Sequence, residues 1–506
     1  MCGIVGYTGA RQALPFLIDG LTTLEYRGYD SAGVALVTPQ DDILQIKCKG
    51  RVAALAELCE RFDTASTCGI AHTRWATHGE PSDANAHPHQ DCDGTLSVVH
   101  NGIVENYQAL QEELSRAGHT FRSQTDSEVI AHLVEDALAG PAEGDLLTAV
   151  SLACSRLEGS WAMALVDAAD PGTIVCARKG SPLVLASTDD GAYAASDVTA
   201  LAGITNHVVN LDDGQLARLS PDGSVEVFES DLSACASPDS FDIDWDAGAA
   251  AMGDYPDFMA KEIAEQPEAI ERLLKDRLTP KGIRLDELEM TDAEIAAIDR
   301  VYIVACGTSY HVGLIARSLI ESWARIPVSV EPASEFNYED VLVSDHTLCI
   351  IITQSGETAD TLASARKMHA AGAKVLAVTN VIGSSAAREA DGVLYVQAGP
   401  EVAVASTKAY TAQMVASVLV ALFLAQRNGS LGYREVSRRF RELERVPGLI
   451  REVLARAWQD EAAAHAFIDA GSSLFLGRGL NSTTAAEGAL KLKEISYLHA
   501  EAYPAG

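Results

Sequence analysis

Met1-Cys2-Gly3-Ile4-Val5-Gly6-Tyr7 opens the chain, and its reading decides how the first half folds. Removal of Met1 leaves Cys2 as residue one, with a thiol and an α-amine on the same residue. A thiol titrates near ~8.5 and an α-amine near ~7.7–8.0, so the amine is matched to take the thiol proton near neutral pH. Gly3, Ile4, Val5 and Gly6 predict a strand that carries the new terminus into a core. Any residue can follow Met by chance, so the rest of the chain must decide.

Outward from there, residues 11–24 have helical spacing. Glu25-Tyr26-Arg27-Gly28-Tyr29-Asp30-Ser31-Ala32-Gly33 reads as a structured turn before a strand over 34–38. Further strands are expected near 44–47 and 69–73. His72-Thr73-Arg74-Trp75-Ala76-Thr77-His78-Gly79-Glu80-Pro81 reads as a strand ending in a loop that closes at Gly-Glu-Pro. Residues 98–107 form a second strand-to-turn passage, in which Asn101-Gly102 is a strong turn signal. The Asn101 amide and the exposed N–H groups there also suit an oxyanion hole. Ser123-Gln124-Thr125-Asp126-Ser127-Glu128 caps a helix over 128–138. Asp126 is read either as that cap or as a ligand's anion, and Arg74 either as a surface ion pair or as a ligand's cation. His72, His78, His87 and His89 are irregularly spaced, with Pro88 between two of them, so no metal is expected.

Composition bounds the rest. A chain of 506 residues holds two to four domains. A net charge of −33 argues against nucleic acid or an anionic membrane as partner. Ten cysteines with no CxxC pair suggest neither a zinc ribbon nor a disulfide framework, which fits a reducing cytoplasm. No signal peptide is expected, because Arg11 and Asp19 interrupt a short apolar run. The most apolar segment, 414–425, is too short for a membrane span and reads as a buried helix.

The motifs over residues 2–220 resemble the class II glutamine amidotransferases, the N-terminal-nucleophile glutaminases. The resemblance implies an α+β four-layer fold, two antiparallel sheets between helices, and hydrolysis of glutamine to glutamate and ammonia. It implies Cys2 as nucleophile with its own α-amine as base, and Asn101 and Gly102 at the oxyanion. Arg74 would pair with the glutamine α-carboxylate, for which a planar bidentate donor is suited. Asp126 would pair with the α-ammonium, and Thr77 and His78 would line the loop over the substrate.

Residues 222–254, rich in Ser, Asp, Gly and Ala, read as a linker, and 258–278 as a helix kinked or broken at Pro267. Beyond Arg300 apolar strands alternate with helices. Strands are expected at 301–307, 347–353, 374–379 and 392–397, a doubly wound α/β parallel sheet whose ligands sit beyond the strands' carboxyl ends. Thr308 and Ser309 after the first strand, and Gln354-Ser355-Gly356-Glu357-Thr358 after the second, place hydroxyls at helix N-termini. They are read as helix caps or, taken as two loops of one sheet, as a phosphate site. The GxxxxGK[ST] spacing is absent. A helical stretch over 406–470 leads to Leu474-Phe475-Leu476-Gly477-Arg478-Gly479, which repeats the strand, glycine, hydroxyl, helix unit. Its helix carries Glu487, Lys491 and Glu494 on one face.

Cys306-Gly307-Thr308-Ser309, Gln354 to Thr358, Val404-Ala405-Ser406-Thr407 and Glu487 to Glu494 resemble tandem sugar isomerase (SIS) domains. Joined to the glutaminase, the whole resembles the isomerising glutamine–fructose-6-phosphate aminotransferase family. That implies synthesis of glucosamine 6-phosphate, the first step of hexosamine formation, without cofactor or metal. Its partners would be glutamine and fructose 6-phosphate in a cytoplasmic homodimer. It implies Thr308, Ser309, Thr353, Gln354, Ser355 and Thr358 at the sugar phosphate, with Thr353 standing where the family often has Ser. Val404 and Ser406 would lie near the sugar. Glu494 would move a proton between C1 and C2, supported by Lys491 and Glu487, and Trp75 would gate an ammonia passage. The expected organisation is glutaminase 2–220, linker and helical connection 221–290, first SIS domain 291–432 and the start of a second at 464–506. The second is expected to be truncated, because 43 residues follow Ala463 and the family's later His and Lys have no counterpart in them. The alternatives are a glutaminase-only fragment and a sugar-phosphate sensor. Another amidotransferase on the same glutaminase would need an acidic phosphoribosyl-pyrophosphate motif or an SGGxDS loop, and neither occurs.

Overall fold

A computed structural model describes residues 2–25, 28–76, 78–242, 252–456, 464–468 and 470–506. The chain divides into two compact units, Met1–Ala250 and Ala251–Gly506. The first begins β1 (Gly3–Gly9), α1 (Ala13–Leu24), β2 (Ser31–Val37), β3 (Ile43–Lys49), α2 (Val52–Cys59), β4 (Cys68–Arg74). It continues β5 (His89–Gln90), β6 (Leu96–Val104), α3 (Tyr107–Ala117), α4 (Glu128–Ala139), α5 (Leu146–Cys154) and β7 (Gly159–Asp167). The remaining strands are β8 (Ile174–Lys179), β9 (Val184–Thr188), β10 (Gly191–Ala195), β11 (His207–Asn210), β12 (Leu216–Leu219), β13 (Val225–Phe228) and β14 (Ser240–Asp242).

The strands form two antiparallel sheets, β14-β11-β9-β10-β1-β4-β2-β3 and β13-β12-β8-β7-β6-β5. Period-two alternation in each strand gives both sheets two apolar faces. Ile4, Ala35 and Ile70 of one meet Val99, Ala162, Ala164 and Ile174 of the other in an apolar interlayer. The outer face of the second sheet packs under α3, α4 and α5 through Val98, Met163, Leu114, Ile130 and Val150. Leu17, Leu21 and Leu24 of α1 are fully buried, and the Cβ of Leu24 lies against Gly3 of β1. The layers are therefore helix, sheet, sheet, helix, as the resemblance implied.

Three readings change. Asn101-Gly102 is not a hairpin turn. β6 runs through it to Val104, with Asn101 paired to Ala162 and Gly102 to Trp161 of β7. Gly102 takes φ +137°, and a Cβ there would stand 2.1 Å from the Ser160 carbonyl oxygen; a kink inside a strand carries the turn signal. Asp126 is not the helix cap, since Ser127 holds that position. The stretch from residue 222 is not a bare linker, since β13 and β14 complete the edges of both sheets. Short strands at 225–228 and 240–242, spaced by polar turns, hide their alternation from a periodicity reading.

The second unit begins with α6 (Phe258–Ala264) and α7 (Gln266–Leu274), the helix breaking just before Pro267 as expected. Its sheet comprises β15 (Arg300–Ala305), β16 (Val328–Pro332), β17 (Thr347–Ile352), β18 (Lys374–Thr379) and β19 (Gly392–Tyr395). All pairs are parallel in the order β16-β15-β17-β18-β19. The chain winds outward in both directions from β15, so the switch point lies between β15 and β17, where such folds hold ligands. β16 was not foreseen from the sequence. Its Ser329 and Glu331 break the apolar run, as suits an edge strand. Helices α8 (Gly307–Trp323) and α9 (Ala359–Ala370) follow β15 and β17, and α10 (Lys408–Arg427) follows β19. Val301, Ile303 and Ala305 face the core shared with α8 and α10, whereas Tyr302 and Val304 face α9. The apolar segment around 414–425 is the buried middle of α10. Further on, β20 (Ser473–Gly477) and β21 (Ala500–Pro504) pair in parallel across α11 (Leu480–Ser496). Leu474 and Leu476 remain 64% and 65% exposed.

Candidate active sites

In the first unit the site grows from strand register. β1 and β4 pair Gly3 with Thr73, so the next residues outward, Cys2 and Arg74, stand across from each other. The Cys2 Sγ accepts from the Trp75 N–H at 3.3 Å and donates toward the Trp75 carbonyl at 3.6 Å. Trp75 itself is 40% exposed and meets Tyr29 edge to face at 5.6 Å. The turn before β2 lies close beneath this segment. A Cβ on Gly28 would meet the Trp75 nitrogen at 2.5 Å, and Thr73 donates its hydroxyl to the Gly28 carbonyl.

Arg74 is buried. Its Nη2 donates to the carbonyls of His78 and Gly79, fixing the loop, while Nη1 is buried without a hydrogen-bond partner among the described residues. Burial lowers its pKa, opposed by the fields of Cys2, Asp126 and Asp30, and an arginine so placed stays a cation. Asp126 accepts from the Val104 N–H at 2.8 Å through Oδ2, which ties it to the end of β6. His78 sits edge to face on Tyr107 at 5.5 Å, its Nδ1 buried without a hydrogen-bond partner among the described residues. Thr77 lies outside the described residues.

Asn101 and Gly102 sit where β6 kinks. The Asn101 Nδ2 donates to the Cys2 carbonyl at 3.0 Å, and its Oδ1 lies 3.0 Å from His72 Nε2, which also lies 3.1 Å from the His100 carbonyl. Two acceptors at Nε2 place the proton there and turn the Asn101 amide nitrogen toward Cys2. His72 stacks on His87 at 4.1 Å, and His87 meets His89 at 4.5 Å. Burial pushes the His72 pKa down to about 3, helped by His100 and Arg74, while His87, His89 and His100 are also held down by burial. Three of the four histidines weighed for a metal are therefore neutral rings wedged beneath the nucleophile. The hold of His72 on Asn101, with His87 stacked behind it, was missed, because only the fold brings β4 and β6 together.

In the second unit, adjacent strands β15 and β17 pair Ala305 with Ile352, so their two hydroxyl loops start side by side. The Ser309 hydroxyl donates to Gln413 Oε1 of α10 at 3.1 Å. Thr353 Oγ1 lies 3.4 Å from Thr358 Oγ1 and accepts from the Gly356 N–H, and Ser355 Oγ accepts from the Glu357 N–H. Gln354 accepts from Asn380 N–H through its main-chain carbonyl. The face of α11 converges on α8. Thr308 donates to Glu487 at 2.9 Å, His311 Nδ1 lies 2.7 Å from the same carboxylate, and Lys491 donates to Thr308 at 2.8 Å and to Glu494 at 2.6 Å. Burial disfavours the Glu487 anion, but His311, Lys491 and Thr308 outweigh it and hold its pKa below the usual range. Glu487–Lys491 is thus part of a half-buried network rather than an isolated surface pair.

Val404 and Ser406 belong to a separate segment ahead of α10. Val404 is 49% exposed, and Ser406 donates to Glu401 at 2.9 Å. Glu401 also accepts from the N–H groups of Thr407 and Ala409, and Glu262 of α6 accepts from those of Val402 and Ala403. Burial and the neighbouring Glu401 push the Glu262 carboxyl up to about 7. His311, Gln413, Glu401 and Glu262 were not singled out from the sequence. Each acts across more than one element, and none stands in a motif.

A family model described as a glutamine amidotransferase domain matches residues 72–203, and one described as an SIS domain matches 294–424. The glutamine--fructose-6-phosphate aminotransferase [isomerizing] of Clostridium acetobutylicum is 47% identical over 508 residues, covering 100% of this chain and 82% of its own length. The protein of the same description from Symbiobacterium thermophilum is 48% identical with the same coverage. Among solved structures, the C-terminal domain of glucosamine-fructose-6-phosphate aminotransferase from Francisella tularensis is 42% identical. It covers 50% of this chain and 71% of its own, at TM-score 0.48.

Proposed function

The chain belongs to the family of isomerising glutamine–fructose-6-phosphate aminotransferases, and on that premise we propose how its two units share one reaction. Glutamine and fructose 6-phosphate are converted to glutamate and glucosamine 6-phosphate. In the first unit the α-amine of residue 2 takes the thiol proton, and the thiolate attacks the side-chain carbonyl carbon of glutamine. Asn101 and the Gly102 N–H hold the oxyanion. Arg74 holds the α-carboxylate, Asp126 the α-ammonium, and Thr77 and His78 close over the substrate. The C–N bond breaks, ammonia leaves with a proton, and water cleaves the thioester to glutamate and the thiol. Trp75 gates the departing ammonia.

In the second unit the phosphate sits among Thr308, Ser309, Thr353, Gln354, Ser355 and Thr358, with Val404 and Ser406 along the sugar. The ammonia nitrogen replaces the C2 carbonyl oxygen, which leaves as water. Glu494 then moves the C1 proton to C2, with Lys491 and Glu487 setting its position. The protein works as a cytoplasmic homodimer. Family resemblance supports the dimer, and ten cysteines with no disulfide among them support a reducing compartment.

The observation that carries the reading is the Cys2 thiol held against the Trp75 main chain, one residue beyond the buried cation Arg74. The test is incubation with glutamine and fructose 6-phosphate, quantifying glutamate and glucosamine 6-phosphate by mass. Cys2→Ala is expected to lose both products. Amino sugar still made from glutamine by that variant would overturn the nucleophile.

A further inference from the structure

We propose that Cys92, His119, His132 and Glu135 form a closed, four-ligand zinc site in the first unit, apart from the glutamine-binding residues. One donor atom from each lies within 4.8 Å of all the others. Cys92 Sγ is 3.4 Å from His119 Nδ1 and 3.7 Å from His132 Nδ1. The two Nδ1 atoms are 3.2 Å apart, and Glu135 Oε2 is 3.0 Å from each. A tetrahedron built on zinc bonds of ~2.0–2.1 Å to N or O and ~2.3 Å to S has edges of about 3.3 Å between N or O atoms and about 3.6 Å from S to N. The five spacings given lie within about 0.3 Å of those edges, and the sixth, from Cys92 Sγ to the Glu135 carboxylate, is at most 4.8 Å. One thiolate and one carboxylate with two neutral imidazoles neutralise a divalent cation, and an S, N, N, O set in tetrahedral array is zinc chemistry.

The outward nitrogens point to the same conclusion. His119 Nε2 lies 2.9 Å from Asp136 Oδ1, and His132 Nε2 is 3.8 Å from Glu128 Oε1. With metal on both Nδ1 atoms each Nε2 keeps its proton. That of His119 is held by Asp136, the arrangement that fixes a ligating imidazole, while that of His132 makes no hydrogen bond among the described residues and lies only at ion-pair distance from Glu128. With no metal, His119 needs protons on both nitrogens to satisfy Asp136 and Glu135, and two Nδ1 atoms 3.2 Å apart compete for one carboxylate oxygen. A cluster of shared protons is therefore the poorer account of four converging donors. All four positions are supplied by the protein, which makes the site structural. It would fasten the segment after β5 and the turn after α3 to the middle of α4, and so enclose the stretch that carries Asp126.

The test is the metal content of the whole purified chain after exchange into a weakly chelating buffer. About one zinc per chain is expected, falling below about a tenth in Cys92→Ser/His119→Gln. Cobalt substituted for zinc should give the intense visible bands of tetrahedral coordination and a sulfur charge-transfer band, lost in Cys92→Ser. Should the variants fail to fold, X-ray absorption on the wild-type zinc protein decides, one sulfur and three lighter ligands being expected. Wild-type chain that is folded yet holds only traces of zinc, or zinc with no sulfur ligand, or a metal content unchanged in the double variant, would overturn the site.

Discussion

Beneath the candidate site of the first unit a stack of buried imidazoles is held neutral; beside that of the second, one buried carboxyl, Glu262, is pushed up to about 7. His72 titrates near about 3 instead of 6.5 because burial removes the water a cation needs. Glu262 titrates near about 7 instead of 4.5 because burial and Glu401 disfavour its anion. Below pH 6.5 the unfolded first unit binds the His72 proton that the folded one refuses. That contribution is full above 6.5 and is lost as pH falls toward 3. For Glu262 the folded state binds the extra proton, so its contribution is full below 4.5 and is lost as pH rises to 7. The same physics of burial thus gives the two units opposite slopes, each about 1.4 kcal/mol per pH unit for one proton.

The largest expected effect is on the first unit in acid. Across the 6.5 to 3 span His72 alone accounts for about 5 kcal/mol. Denaturant melts at pH 7, 5.5 and 4 should show that unit losing stability, and His72→Asn should flatten the slope by one proton's worth. An unchanged slope in the variant would remove His72 from the account. Next in size, Asn101→Ala should slow glutamate release by ~10²–10³-fold, about 3–4 kcal/mol of transition-state stabilisation. A rate within threefold of wild type would exclude the amide from the oxyanion. Glu262→Gln, which mimics the protonated carboxyl, should abolish about 3 kcal/mol of decline between pH 4.5 and 7 in the second unit. Equal slopes before and after would show that Glu262 is ionised. Smallest, Glu487→Gln should lower amino-sugar formation ~10–100-fold, the ~1.5–3 kcal/mol of a hydrogen bond to a charged group. Glutamate release measured without sugar should not change, and a parallel fall in both rates would count against separate roles.

How much of this was legible follows from the range of the signals. Cys2, Arg74 and Asn101 stand in strand-and-loop motifs whose local pattern is read directly, as are β15 and β17 with their hydroxyl loops. The four-layer order came from resemblance, since short strands such as β13 and β14 carry too few alternations to register. Asn101-Gly102 misled because the dipeptide reports a positive φ, and a kinked strand needs that as much as a hairpin does. The histidine stack and the Glu487–His311 pair were invisible for another reason. His72 and His87 lie 15 residues apart and His311 and Glu487 176, and only sheet registration and helix packing bring them together. Cys92 and His119 are hidden in the same way, and His132 and Glu135, although one helical turn apart, stand in no motif that singles them out.

The kink at Gly102 also sets what substitution can reach. Every residue other than glycine brings a Cβ, and here that atom falls 2.1 Å from the Ser160 carbonyl oxygen at φ +137°. Of the three bases in the Gly102 codon, only the third is free to vary. In a saturation library selected for amino-sugar synthesis, that column should hold glycine alone.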